Sequence, residues 1–280
     1  MERGPVHLLR TRFRPRSRPR FAGLSFNRMV PNILTLLGLC AGLSSMRYAL
    51  EARFGAAAVA IVVAACIDGL DGRLARLLKA TSRFGAEFDS LADFCCFGVA
   101  PAFVLYLWSM QVWGGLGFAP CLLFAVCMAL RLARFNAAIE TPPPIAHAYA
   151  YNFFTGVPAP CGAGLALFPL FFGLEGRTLG LPWMGQVAHS PVFCGMVLVG
   201  TALLLVSTLP VWSFKNFKVP KPLALPLLLG VGLFTAVLVA EPWAALAGAG
   251  VIYLGLVVLS RRSFHRLRAA AEVRGTDGSV

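Results

Sequence analysis

The sequence predicts an all-α polytopic membrane protein, a transmembrane helix bundle of about eight spans, from three observations. Apolar residues make up 58% of the 280 positions and charged residues 13%, and the mean hydropathy of +0.74 lies well above that of ordinary soluble domains. Apolar runs long enough to cross a bilayer recur along the chain. The basic residues collect in alternate connections between those runs, which is the signature of membrane topology.

Taken in order, residues 1–27 hold "RTRFRPRSRPR" and too few apolar side chains to pack, so they are expected to form an unstructured basic cytoplasmic arm. The apolar run near 30–50 has the length of a full span and is followed by others like it. It therefore reads as a first transmembrane helix rather than a cleaved signal. Further runs lie near 54–79, 84–108, 115–138, 152–174 and 191–210, which closes a membrane core over 28–220. Two additional helices are expected within 221–260, near 222–240 and 242–260, and a basic cytoplasmic tail over 261–280. With the N-terminus inside, the inner connections receive the arm, "RLLKATSR" (76–83), "RLAR" (131–134), "KNFKVPK" (215–221) and "RRSFHRLR" (261–268). The outer side receives only Arg47, Arg53 and Arg177, three of 25 basic residues, so both termini are expected in the cytoplasm at the inner membrane. The formal charge of +13 thus follows from topology and contact with anionic lipid, not from nucleic-acid binding. Eight cysteines sit mostly within apolar runs without a C-x-x-C pair, and read as small buried side chains rather than a disulfide or zinc framework.

Against this background, "DGLDGRLARLLKATSRFGAEFDSLAD" (68–93) places four aspartates in apolar helices. Asp68 and Asp71 are spaced i, i+3 toward the end of the second helix, and Asp89 and Asp93 are spaced i, i+4 near the start of the third, so each pair shares a face. Counted from a turn near Thr81, Asp71 lies level with Asp89 and Asp68 with Asp93. Four clustered carboxylates at low dielectric need protons or cations, and hard oxygen ligands suit Mg²⁺ or Mn²⁺, a pair of which suits a phosphate substrate. Gly72, Ala75 and Gly85 leave room for a bulky group beside the backbone, and Arg76 can fork onto a phosphate. The structural alternative pairs the aspartates with Arg73, Arg76 and Arg83 and uses the small residues for close helix packing.

Read as D-x-x-D-G-x-x-A-R, eight residues, then G-x-x-x-D-x-x-x-D, these positions resemble the signature of the CDP-alcohol phosphatidyltransferases. Within that family the chain is most similar to the membrane-integral bacterial phosphatidylserine synthases, through "PNILTLLGLCAGLSS" (31–45), "LRLARFN" (130–136), "FFTGVPAP" (153–160) and "STLPVWSFK" (207–215). The resemblance covers about residues 28–220 and little of the last two helices. It implies transfer of the phosphatidyl group of CDP-diacylglycerol to the hydroxyl of L-serine with release of CMP. It also implies two divalent cations on Asp68, Asp71 and Asp89, with Asp93 completing the ligand set of the second ion and accepting the proton. Gly72, Ala75, Arg76, Ser82 and Gly85 map to the CDP-diacylglycerol site, and the family suggests a homodimer.

The acceptor is less closely specified. A serine site should offer its carboxylate a cation, and Arg131, Arg134 and Lys215 lie at the expected inner face, where positive-inside anchoring explains them equally well. Asn136, Asn152 and Ser213 are polar near the same face. Asn32 and Thr35 in "PNILT" either contact nucleotide or, for Asn32, cap the first helix. Glu87 lies between the ligand positions, and His7, His147, His189 and His265 are scattered over tails and loops. Glycerol 3-phosphate, an inositol phosphate or a phospholipid as acceptor would use the same metal site. A prenyltransferase would set its acidic motifs far apart, whereas Asp71 and Asp89 are 18 residues apart here. A cation transporter would place its site near the midplane.

Overall fold

The computed structural model describes residues 26–140, 153–212 and 221–277, with side chains over 29–138, 156–209 and 224–260. Helices α1 (Phe26–Leu50) and α2 (Phe54–Leu77) run antiparallel and pack most extensively of all pairs. Ala57, Ala58, Ala60 and Ala64 line the buried face of α2, and Gly38 of α1 faces Ile67, so small residues let the two backbones approach. Their turn places Ala52 at φ 56° and gathers Arg47, Glu51 and Arg53, with Nε of Arg47 3.0 Å and Nη1 of Arg53 3.3 Å from the Glu51 carboxylate.

The third span, Arg83–Trp108, is one apolar rod of three segments. It comprises α3 (Arg83–Asp93), a π-helical turn (Phe94–Val99) and α4 (Ala100–Trp108). Cys96, Phe97 and Gly98 of the π turn are buried, and Cys96 sits so close to Gly42 of α1 that a Cβ there would collide with it. A 3₁₀ turn (Met110–Trp113) leads to α5 (Gly115–Glu140). Then follow strand β1 (Phe153–Thr155), α6 (Ala159–Ala166), α7 (Phe168–Thr178), α8 (Pro182–Ala188) and α9 (Pro191–Val206). Strand β2 (Pro210–Trp212) pairs antiparallel with β1, Phe154 opposite Val211, and α10 (Lys221–Ala240) and α11 (Pro242–Asp277) complete the described chain.

Among the described residues, five helices are long and apolar enough to cross a membrane, or up to seven if each of two bent pairs counts as one span. The bundle is therefore an all-α, multi-pass membrane protein. The expected span near 152–174 is not a single straight helix: α6 and α7 bend by 48° where Pro169 enters α7, and α8 and α9 bend by 57° where Pro191 begins α9. α8 lies between the apolar runs near 152–174 and 191–210, and Ala224–Ala240 is a shorter apolar helix. The backbone beyond 260, expected as a tail, continues helical to Asp277. Phe97, Phe124, Met128, Leu198 and Leu205 are fully buried at the centre, while leucines and valines on the outward faces are exposed, as a lipid-facing surface requires. The cysteines are all free; Cys40 and Cys66, expected buried, are exposed.

Candidate functional site

The last turns of α2 and the first of α3 meet across residues 78–82, where Lys79 adopts φ 50°. Ser82 is the N-cap of α3, its Oγ accepting from the Gly85 amide at 3.0 Å, which fixes the entry of the helix. Gly85 is packed against that cap: a Cβ there would stand 3.0 Å from Asn32 Oδ1 and 3.1 Å from Ser82 Oγ. A Cβ on Gly72 would meet nothing within 4 Å.

This geometry brings the aspartates together as the helical spacing requires. Asp68, Asp71 and Asp89 each offer a carboxylate oxygen within 4.8 Å of the others. Asp93 lies outside that triad and stands beside Asp68, its level partner. All four line a small cavity of about 10 Å³ walled by Gly38, Ala64, Cys96 and Phe97; that is room for about one water-sized occupant. Asp71 is only 4% exposed, and Thr35 of α1 donates to its Oδ2 at 2.8 Å. Arg73 and Arg76 are exposed and make no salt bridge to these carboxylates among the described residues, which removes them from the structural network the sequence allowed. Acidic oxygens held this close repel one another unless a cation or protons intervene, and an all-carboxylate donor set fits a hard divalent ion.

Beside the triad opens a second cavity of about 300 Å³, bounded by Asn32 and Thr35 of α1, Asp71, Gly72, Ala75 and Arg76 of α2, and Ser82, Gly85 and Asp89 of α3. Every position that the signature assigns to CDP-diacylglycerol therefore faces one space. Asn32 is not a helix cap, since α1 begins at Phe26 and places it in the second turn, on the cavity wall.

The acceptor candidates separate. The Arg134 guanidinium donates to the carbonyls of Leu205, Val206 and Ser207 at 3.5, 2.9 and 3.3 Å, and so caps the C-terminus of α9. Arg131, half-buried, donates Nε to the Val157 carbonyl at 2.6 Å and lies within electrostatic reach of Asp93 and Asp68. Asn136 joins α5 to α3 by donating to Ser90 Oγ at 3.0 Å. Glu87 is exposed. His189 stacks on Trp108 at 3.7 Å at the opposite end of the bundle. Lys215, Asn152, Ser213, His7 and His147 lie outside the described residues, as does the side chain of His265. Sequence reasoning missed the bond from Thr35 to Asp71 and the π turn that follows Asp93.

Fold and site together define a polytopic membrane protein with a carboxylate centre, fit for a divalent metal, set between helices beside a polar cavity. The chain belongs to the CDP-alcohol phosphatidyltransferase family, whose model matches residues 28–213. A second model, CDP-alcohol phosphatidyltransferase 2, matches residues 223–257, so likeness extends into the two helices where the sequence showed little. The chain is 39% identical over 252 residues to a CDP-diacylglycerol–serine O-phosphatidyltransferase of Mycobacterium tuberculosis (strain H37Rv), covering 88% of the chain and 82% of the relative. Proteins of the same name from Helicobacter pylori (strain J99) and Bacillus subtilis (strain 168) are 33% and 28% identical. The first covers 82% of the chain and 88% of the relative, the second 68% and 91%.

Proposed function

We propose that this protein transfers the phosphatidyl group of CDP-diacylglycerol to L-serine, giving phosphatidylserine and CMP. The observation that carries the reading is the continuity of the site: the carboxylate triad and the positions Gly72, Ala75, Arg76, Ser82 and Gly85 share one opening between α2 and α3.

Asp68, Asp71 and Asp89 would hold two divalent cations, Mg²⁺ or Mn²⁺, with Asp93 completing the ligand set of the second ion; bound there, they would supply charge neutralisation on the pyrophosphate and the CMP leaving group. Thr35 fixes the Asp71 carboxylate by its hydrogen bond, so one ligand is oriented before any ion arrives. Arg76 donates charge-assisted hydrogen bonds to a phosphate of the nucleotide, and the bare backbone at Gly72 admits that group closely. Asp93 takes the proton of the serine hydroxyl; the oxygen forms a bond to the β-phosphorus as the bond to CMP breaks. Asn32 contributes to the opposite wall of the nucleotide cavity. The carboxylate end of the bundle faces the cytoplasm, supported by the basic inner connections and by the water-soluble nucleotide and serine. Residues 28–220 form the catalytic core with α10 and α11 appended, and a homodimer is the assembly we infer from the family.

Purified protein reconstituted with CDP-diacylglycerol, Mn²⁺ or Mg²⁺ and labelled serine should yield phosphatidylserine and CMP in equal amounts. CMP release with glycerol 3-phosphate or inositol phosphate but not serine would retain the chemistry and overturn the acceptor. No CMP release with any alcohol would remove the transferase reading altogether.

A further inference from the structure

The tryptophans are not spread evenly along the helices. Four of the five, Trp108, Trp113, Trp183 and Trp243, stand at the end of the bundle away from the aspartates. Contacts tie the elements together there. Phe54 at the start of α2 meets Trp108 edge-on with ring centres 4.9 Å apart, His189 just past α8 stacks on Trp108 at 3.7 Å, and a Cβ on Gly55 would stand 3.7 Å from Trp243. Trp108 is buried, whereas Trp113 is 47% and Trp183 56% exposed. Met184 and Ala188 of α8, one turn apart, are buried against α7, where Gly176 and Gly173 leave no room for a Cβ. Trp183 and Val187, also one turn apart, are exposed, and so are Leu179 and Leu181 in the turn before α8. This rim is too apolar for water, since soluble surfaces rarely leave such a patch open. It is also too polar for hydrocarbon, because Gln111 of the 3₁₀ turn, Arg177 of α7 and Gln186 of α8 are exposed on the same elements. The boundary between headgroups and acyl chains satisfies both, because an indole there sets its ring among chain carbons and its N–H among esters and water.

We propose that α8 and the 3₁₀ turn form a lipid-contacting collar, with Trp183 and Trp113 seated at the boundary between headgroups and acyl chains in the leaflet remote from the aspartates. The partner is the phospholipid surface itself. The inference needs only the membrane-spanning fold and stands apart from the serine-transfer reading. Its consequence is depth. The third span, Arg83–Trp108, carries Asp89 and Asp93 toward one end and Trp108 at the other, and Trp108 Nε1 donates to the Ala188 carbonyl at 3.1 Å. The collar is thus joined through one rod to the carboxylates, and its height in one leaflet sets how far they stand from the headgroups of the other.

The test is tryptophan fluorescence of the full chain in vesicles of phosphatidylcholine and phosphatidylglycerol whose acyl chains carry bromine near the ester end or near the methyl end. The emission lost in Trp183→Phe, obtained by subtraction from wild type, should be quenched about twofold more strongly by ester-end than by methyl-end bromine, as for side chains about 5–10 Å into the boundary. Trp113→Phe reads the same collar independently and should return the same order. Stronger quenching by methyl-end bromine places the collar in hydrocarbon and overturns the proposal. Quenching by aqueous iodide but by neither brominated lipid places it in water and overturns it as well. Emission that no quencher reaches, or that lipid quenches less as the ratio of protein to lipid rises, marks a protein partner or a second copy on this face and also overturns it.

Discussion

At the end of the bundle formed by the α1–α2 turn, Glu51 is gripped by Arg47 and Arg53, whose guanidinium groups lie 5.2 and 5.0 Å from the Tyr48 ring centre. On the same end Arg177 lies 5.2 Å over Trp108 and contacts His189 at 3.2 Å. The exception there is Glu175, one of whose carboxylate oxygens is buried without a partner. At the α2–α3 end the arrangement is reversed: four aspartates converge while Arg73 and Arg76 stay exposed and unpaired with them. Charge that is neutralised locally holds a turn in place. Charge that is gathered and left for something else to neutralise marks where binding occurs.

That contrast can be broken in four ways. Asp93→Asn should lower CMP release by about 10²- to 10⁴-fold, the range for loss of a general base, while metal-dependent binding of CDP-diacylglycerol persists in part; turnover equal to wild type would contradict the assignment of the base. Gly42→Ala, which drives a methyl into Cys96 beside the π turn, should cost about 1–3 kcal/mol, read as a lower unfolding temperature in detergent together with reduced activity. Arg134→Ala withdraws the cation from three carbonyls at the end of α9 and should cost about 1–2 kcal/mol, with the KM for serine unmoved. A selective rise in that KM would return Arg134 to the acceptor site. Glu51→Gln at the opposite end breaks two largely exposed ion pairs and should change stability by about 1 kcal/mol or less without altering turnover.

Helical periodicity made the centre of the site readable before any coordinates. Spacings of three and four residues put Asp68 with Asp71 and Asp89 with Asp93 on shared faces, and a short antiparallel turn leaves little freedom in how those faces meet. The contact between Asp68 and Asp93 is the level pairing that this subtraction expects. What escaped was set by partners distant in sequence. Arg134 finds its carbonyls 71 to 73 positions away, and Thr35 finds Asp71 36 positions away, so no local pattern announces either. The cap alternative for Asn32 fell because the helix starts earlier than its first strongly apolar run, with Pro31 accommodated inside. The π turn has no signal in "FCCFGV", since its widened loop depends on how Gly42 and Met128 press on it from neighbouring helices.

The π turn also sets the phase of the third span. An α-helix advances about 100° per residue, and a π turn accommodates one residue more than the α-helical count. Below it, Asp89 and Asp93 are aimed at α2; above it, Val104, Leu105 and Trp108 are aimed into the packed interior. Removing one residue between 94 and 99 would let the segment relax to an ordinary helix with better local hydrogen bonding. Relaxing it with all six residues kept would instead rotate one half against the other by about 100°, so either the aspartates would leave the site or the upper half would leave the core. The span behaves as two gears on one shaft, and the offset between them is a single residue.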